Sequence, residues 1–490
     1  GLGCPDWPGC YGHASPIGAK HHIDAAEQAM PTGPVTHEKA WIEMIHRYLA
    51  TAVGVLLIAL CAQAWLHAPA QRVLATVSLI WVMVQGAFGA LTVTLKLMPL
   101  VVTLHLLGGL GLLALLTLQL AKLRGFAPVN AVQSNRVRPW LLLVMLAISI
   151  QIALGGITRL TGSGLSITEW DVVTGALPPM SEAAWQTLFA KYKTTPQFQL
   201  LNFDFTLANF KFIFFWEWFH RLWARTIGLV FAIGFIYFLV KKYFQPKMIQ
   251  PLVVLFLLGA LQGAIGWIMV ASGLEGDAVY VKPTRLALHF IFALGLLSYT
   301  YWFALSLKVK TLKEQPSLEA SYKDLKFIKH IRSIKSLSWL ILVVLFFQLI
   351  YGALMAGHKA ANVAATWPTI NGQWIPTGLT SKDGFFLNAV NNTIWIHFIH
   401  RGLAYLLLIL IVWYSNKLFR INGNAFWNLM RRMPLTFVLF QVSLGIFTVI
   451  SSAKIVPGVW AGFEWLAQLH QLVGMLLLLS VVNIIYITKD

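Results

Sequence analysis

A chain of 490 residues that is 58% hydrophobic and only 11% charged, with a mean hydropathy of +0.69, is too apolar to fold around one soluble core. Its net charge of +19 would suit a nucleic-acid partner, but the Lys and Arg residues gather in alternate connections between apolar stretches. Membrane topology therefore accounts for the charge, no nucleic acid is expected, and the chain is predicted to be an all-α polytopic protein of the lipid bilayer.

Stretches of roughly 20 apolar residues, the length that crosses a bilayer core, fall in chain order near 38–65, 72–95, 98–122, 137–160, 210–240, 249–272, 283–307, 335–357, 390–417, 428–452 and 463–486, about eleven transmembrane helices. The basic connections hold Lys122, Arg124, Arg136 and Arg138, then Lys241, Lys242 and Lys247, then 308–335, then Lys417, Arg420, Arg431 and Arg432. They are expected on the cytoplasmic side. The loops 1–37, 161–209 and 358–389 then face outward. Cys4 and Cys10 share the first of these loops and can pair as a disulfide in an oxidising compartment, whereas Cys61 lies inside an apolar span. The chain opens at Gly1 without a start Met, a signal peptide or a transit peptide, and its start reads as truncated or processed.

One pattern occurs three times. Trp41-Ile-Glu-Met-Ile-His-Arg47, Trp216-Glu-Trp-Phe-His-Arg221 and Trp395-Ile-His-Phe-Ile-His-Arg401 each open a long apolar helix. Two helices later a second histidine follows, giving the pairs His46 and His105, His220 and His289, and His400 and His470, separated by 59, 69 and 70 residues. Gln-x-x-x-Gly recurs between them, at Gln85, Gln262 and Gln441 on third helices and at Gln151 and Gln348 on first helices. It reads as close helix packing through a small residue rather than as contact with a ligand. A full repeat is thus a four-helix bundle. Residues 1–125 read as three helices of such a repeat without its first, 126–136 and 308–334 as cytoplasmic linkers, and 137–307 and 335–490 as complete repeats. Gly1-Leu-Gly-Cys-Pro-Asp-Trp7 lines up with Gly164-Leu-Ser-Ile-Thr-Glu-Trp170.

Polar side chains inside a membrane span are costly and mark functional sites. Helices two and four of each repeat both enter from the outer face, so their histidines sit at similar depth. Two neutral imidazoles facing each other suit axial ligation of the iron of a heme, and the metal-ligand set is His220, His289, His400 and His470, extended by His46 and His105. Arg47, Arg221 and Arg401 follow the helix-two ligand at headgroup level, where a guanidinium either pairs with a heme propionate or closes the outer end of the helix. Glu43 and Glu217 stand three residues before the ligand, on the same helical face, where the third repeat has His397. A carboxylate there relays protons or orients water, or simply favours helix entry; His397 reads as a satisfied polar neighbour. Trp170, Trp367 and Trp374 in the long outer loops cover heme or anchor the interface. His358 stands where an apolar residue is expected.

These motifs resemble the heme A synthase family. Gly155-Gly-Ile-Thr-Arg-Leu-Thr-Gly-Ser-Gly-Leu-Ser166, Phe215-Trp-Glu-Trp-Phe-His-Arg221 and Ala364-Ala-Thr-Trp-Pro368 are similar to its cysteine-free subgroup, found in mitochondria and many bacteria. Gly3-Cys-Pro-Asp-Trp-Pro-Gly-Cys10 and Trp41-Ile-Glu-Met-Ile-His46 resemble the amino-terminal half of a cysteine-bearing bacterial subgroup. The resemblance implies oxidation of the C8 methyl of heme O, the substrate, to the formyl group of heme A for terminal cytochrome oxidase. It implies that 137–307 is the catalytic bundle, with Glu217, His220 and His289 as catalytic residues, and that 335–490 binds heme b as cofactor through His400 and His470, with Arg221 and Arg401 also contacting heme. It further implies a bacterial inner membrane, heme sites toward the extracytoplasmic face, a separate electron donor, heme O synthase and oxidase assembly factors as partners, and a homo-oligomer.

No Cys-x-x-Cys-His tether is present in the sequence, so heme binds non-covalently and can enter and leave. No dinucleotide fingerprint follows a strand, so electrons come from a partner. The competing assignment is a di-heme membrane electron-transfer cytochrome b, which commonly stacks its two hemes on the same helices, one per leaflet. A transporter would instead carry polar groups at broken helices near the midplane.

Overall fold

The computed structural model describes residues 3–30, 35–96, 134–169, 174–241, 243–244, 246–274, 276–307, 309–315, 318, 321–379 and 384–489, with isolated positions between 101 and 119. The protein is all-α, and ten helices among the described residues are long and apolar enough to cross a membrane. Most of the eleventh expected span, 98–122, lies outside the described residues, as do Trp170, Lys122, Arg124 and Lys242. The chain divides into two compact units, Gly1–Phe126 and Ala127–Asp490.

In the first unit, a loop tied by a disulfide between Cys4 and Cys10 precedes the short helix α1 (Lys20–Ala29) and the long helices α2 (His37–His67) and α3 (Arg72–Thr94). Thr36 starts α2 by accepting a hydrogen bond from the amide of Lys39, which satisfies one of the donors that every helix start leaves free. The loop turns at Tyr11 and Gly12, both at positive φ (50° and 74°). Gly12 takes that conformation without a Cβ penalty.

The second unit runs α4 (Ser134–Leu160), α5 (Glu182–Lys193), α6 (Pro196–Leu201), α7 (Leu207–Val240), α8 (Pro246–Ala271), α9 (Pro283–Ser306), α10 (Leu325–Gly357), α11 (Gly384–Asn391), α12 (Thr393–Phe419), α13 (Ala425–Met430), α14 (Met433–Ser451) and α15 (Gly462–Ile487). Helices α4, α7, α8 and α9 pack in a closed ring, and so do α10, α12, α14 and α15. The two bundles meet along α4, α9, α10 and α15. Two glutamine side chains cross that seam: Gln468 donates to the carbonyl of Ala153 (3.0 Å) and Gln471 to that of Ile152 (2.9 Å). Starts are capped where the chain enters from a loop, by Thr206 with Asn209 at α7 and by Asn392 at α12.

The packed core lies on one side of the histidines. On α7, α9, α12 and α15 its buried members begin at Phe231, Leu294, Leu407 and Met475, each past the histidine of that helix. Leucine, isoleucine and aromatic side chains fill that half of both bundles. The other half, with the histidines, carries the polar groups described next.

Candidate functional site

The helical register brings the paired histidines together. His400 on α12 and His470 on α15 face each other with ring centroids 6.4 Å apart and planes inclined at 74°. In the first unit His46 and His105 repeat that geometry, at 6.3 Å and 83°. Metal–imidazole bonds of roughly 2 Å, plus the radius of each ring, put two axial imidazoles about 6 Å centre to centre, so both pairs fit one iron between them. The remaining ligand candidates, His220 and His289, lie on α7 and α9 of the closed four-helix ring. No cluster of three or more His, Cys, Asp or Glu side chains able to hold a bare metal ion occurs among the described residues.

Behind each ring stands a Gln-x-x-x-Gly from the helix before it. Gln151 Nε2 lies 3.2 and 3.1 Å from the two ring nitrogens of His220, and Gln262 Nε2 lies 3.2 and 3.4 Å from those of His289. Gln348 reaches His400 at 3.4 Å and Gln441 reaches His470 at 3.3 Å. The glycine one turn later lies flat against the same ring: a Cβ on Gly155, Gly266, Gly352 or Gly445 would stand 3.2, 2.9, 3.3 or 3.0 Å from the Cε1 of its histidine. Packing through a small residue is therefore only half of what the motif does. The signal is present in the sequence as a matched number, one motif for each ligand histidine of 137–490.

The residues around the helix-two histidine hold the outer loop. Glu217, only 2% exposed, accepts hydrogen bonds at Oε2 from the Ser166 amide (2.7 Å), the Ser166 hydroxyl (2.7 Å) and the Ile167 amide (2.9 Å). Its Oε1 pairs with Arg221 at 2.6 Å, and Arg221 also donates to the carbonyls of Ile167 and Glu169, both at 3.2 Å. The first unit repeats this arrangement. Glu43 accepts from the amides of Gly3 (2.8 Å) and Cys4 (3.3 Å) and pairs with Arg47 at 2.6 Å, while Arg47 donates to the carbonyls of Cys4, Asp6, Pro8 and Gly9.

In the second bundle the acid is gone and the clamp remains. Arg401 donates to the carbonyls of Ala364 (2.7 Å), Thr366 (2.8 Å) and Thr369 (3.1 Å). Fully buried His397 points Nε2 at the carbonyl of Ala360, 2.7 Å away. Charge-assisted donors aimed at carbonyls are among the stronger hydrogen bonds, and here they fix the loop to the helix that carries the ligand. The sequence points these arginines to heme propionates or headgroups, not to loop carbonyls. The loop lies far away along the chain, so nothing local signals the contact.

His358 and the outer-loop tryptophans fall outside this machinery. His358 caps α10 and contacts the carbonyl of Val390 at 2.7 Å. Trp367 and Trp374 are 44% and 69% exposed.

A family model described as cytochrome oxidase assembly protein, COX15-CtaA, matches residues 1–156 and again residues 138–482. The shared stretch lies within α4. The heme A synthase of Novosphingobium aromaticivorans is 41% identical over 366 residues, 72% of this chain and 94% of that protein. That of Paracoccus denitrificans is 42% identical over 279 residues, 56% and 70% of the two chains, and that of Flavobacterium psychrophilum is 37% identical over 351 residues, 69% and 94%.

Proposed function

The chain belongs to the COX15-CtaA family of cytochrome oxidase assembly proteins, and we infer from that membership and from its histidine pairs how it works as a heme A synthase, an oxidoreductase converting heme O to heme A for cytochrome oxidase. The catalytic bundle is 137–307, where His220 and His289 hold the iron of heme O while its C8 methyl is oxidised to a formyl group. The bundle of 335–490 binds heme b between His400 and His470, and heme b supplies one-electron redox chemistry when bound. The observation that carries this assignment is the inequality of two otherwise matched sites: a buried carboxylate, Glu217, against a buried imidazole, His397.

Four hydrogen bonds to its two oxygens hold the Glu217 carboxylate in one orientation, from which it accepts a proton or orients water beside the substrate. Arg221 and Arg401 serve heme binding by fixing the loops at the outer ends of the two bundles, which keeps water from the reacting edge. His46 and His105 form a third heme-ligand pair in the first unit. Basic connections face the cytoplasm of a bacterial cell and the heme sites face the opposite side. A separate donor supplies electrons, and heme O synthase and oxidase assembly factors are the partners that deliver substrate and take product.

The test is to express the full chain in a host that makes heme O but no heme A, then extract and identify the hemes. Heme A or its hydroxylated precursor is expected from the wild type, heme b alone from His220→Ala, and loss of heme b from His400→Ala. Only heme b from a folded wild-type protein with ample heme O would instead favour an electron-transfer cytochrome.

A further inference from the structure

The five Gln-x-x-x-Gly segments share a feature that helix packing does not require. The side-chain oxygens of Gln85, Gln151, Gln262, Gln348 and Gln441 are all buried without a hydrogen-bond partner. Beside three of them lies a second orphan: Nδ1 of His105, His400 and His470 is likewise buried and unpaired. One buried unsatisfied polar atom costs roughly 1–3 kcal/mol, and a native fold has few of them. Five at one repeated position call for a common partner. A half-turn about the last side-chain torsion exchanges the oxygen and nitrogen of a glutamine amide with almost no change in shape. It brings the oxygen to the place where the nitrogen now stands, 3.1–3.4 Å from a ring nitrogen at His220, His289, His400 and His470.

We propose that each Gln-x-x-x-Gly is a seat for a heme-ligating histidine: the glutamine oxygen accepts the ring N–H and so leaves the other nitrogen's lone pair to the iron, while the glycine lets the ring lie against the helix. An imidazole has two nitrogens, and which one carries the hydrogen is set by the hydrogen bond the ring makes on its far side. Glutamine supplies that acceptor without placing a second charge in the membrane, which a carboxylate would do at greater cost. The glycine, one turn further along the same helix face, is needed because a Cβ there would press on the ring at 2.9–3.3 Å in all five copies, Gly89 under His105 included. Glutamine and glycine thus fix tautomer and ring position together. They are positioning residues that act through the ligand.

The inference rests on the proposal that the histidine pairs hold heme, and the test separates the two. In the full-length holoprotein, heme b is followed by its low-spin spectrum, its reduction potential and its rate of transfer to an apoprotein acceptor. Gln348→Leu removes the acceptor. Heme transfer is expected to quicken by about tenfold or more, the usual consequence of losing an outer-shell partner of a metal-bound histidine. The potential should rise, because an imidazole that donates no hydrogen bond is a weaker donor to ferric iron. Gln348→Glu should move the potential the other way, and Gly352→Ala should broaden the spectrum by displacing the ring. Gln441→Leu repeats the measurement on the opposite axial ligand should Gln348→Leu fail to fold. A folded leucine variant that melts at a lower temperature but keeps its potential and transfer rate would overturn the seat and leave simple packing. Retention of an unchanged low-spin spectrum in His400→Ala and His470→Ala would instead overturn the ligand assignment itself.

Discussion

The two bundles of the second unit hold their outer loops by the same guanidinium and by different neighbours. Arg221 shares its donors between Glu217 and the carbonyls of Ile167 and Glu169; Arg401 gives its donors to the carbonyls of Ala364, Thr366 and Thr369. In each case the same arginine nitrogen meets corresponding positions two residues apart in the loop. Holding the loop therefore explains the arginine in both bundles, but it does not explain the acid in one. His397 stands where Glu217 would be, and its loop is held just as firmly by three carbonyl contacts. The carboxylate of the first bundle has a job beyond architecture, and the substrate site is where such a job exists.

The largest effect should come from exchanging the acid. Glu217→Gln keeps the shape and can still accept from Ser166 and Ile167, but it cannot take a proton. Heme A formation should fall by about a hundredfold or more, the range typical of a lost acid–base group, with heme b content unchanged. His397→Gln should leave turnover close to wild type. Equal losses in both variants, measured as heme A produced per bound heme b, would erase the distinction between the bundles.

A smaller effect should separate the arginines. Arg221→Ala leaves Glu217, 3% exposed at its side chain, without its charged partner; breaking a buried pair in this way costs about 3–5 kcal/mol. Arg401→Ala leaves only carbonyls, and charged hydrogen bonds of that kind contribute about 1.5–3 kcal/mol. Thermal unfolding in detergent should therefore rank Arg221→Ala below Arg401→Ala, and the double variant Glu217→Gln with Arg221→Ala should recover part of the loss. The opposite ranking would mean that the loop contacts outweigh the ion pair.

Much of this architecture is legible in the sequence. Apolar length marks the spans, and the recurrence of His-Arg on helix two with a second histidine two helices later marks the pairs, because those signals are local or strictly periodic. The closed rings of α4, α7, α8, α9 and of α10, α12, α14, α15 follow from the same periodicity. What stays hidden depends on where loops return. Ser166 and Ile167 meet Glu217 across some fifty residues, and no spacing rule reaches that far. The glutamines are visible as a motif, but their resemblance to small-residue packing points away from the rings they touch. Their contact with the histidines needs the rotation of each helix about its own axis, which an all-round apolar sequence leaves undetermined.

The finest difference between the bundles lies outside the membrane. The loop of the first bundle builds a small core of its own from Phe189, Tyr192, Phe210, Ile213 and Phe214, whereas the second turns tightly at Asn371 and Gly372. Tyr192 is fully buried; its hydroxyl donates to Gln197 at 3.0 Å and accepts from Asn202 at 2.7 Å. Burial pushes its pKa up to about 12 from the ordinary 10.0. A tyrosine whose pKa is higher folded than unfolded gives up its proton first in the unfolded chain, so the stability it brings is whole below pH 10 and drains away as the pH climbs toward 12. Tyr192→Phe should cost about 1 kcal/mol at neutral pH, one net hydrogen bond, and should lose less stability than the wild type between pH 10 and 12. Proteolysis of the 161–209 loop reads this directly, since cleavage tracks the open population when closing is fast. A variant whose loop is cut at the wild-type rate at neutral pH would show that the aromatic core holds the loop without the hydroxyl, and that the two bundles differ there in packing alone.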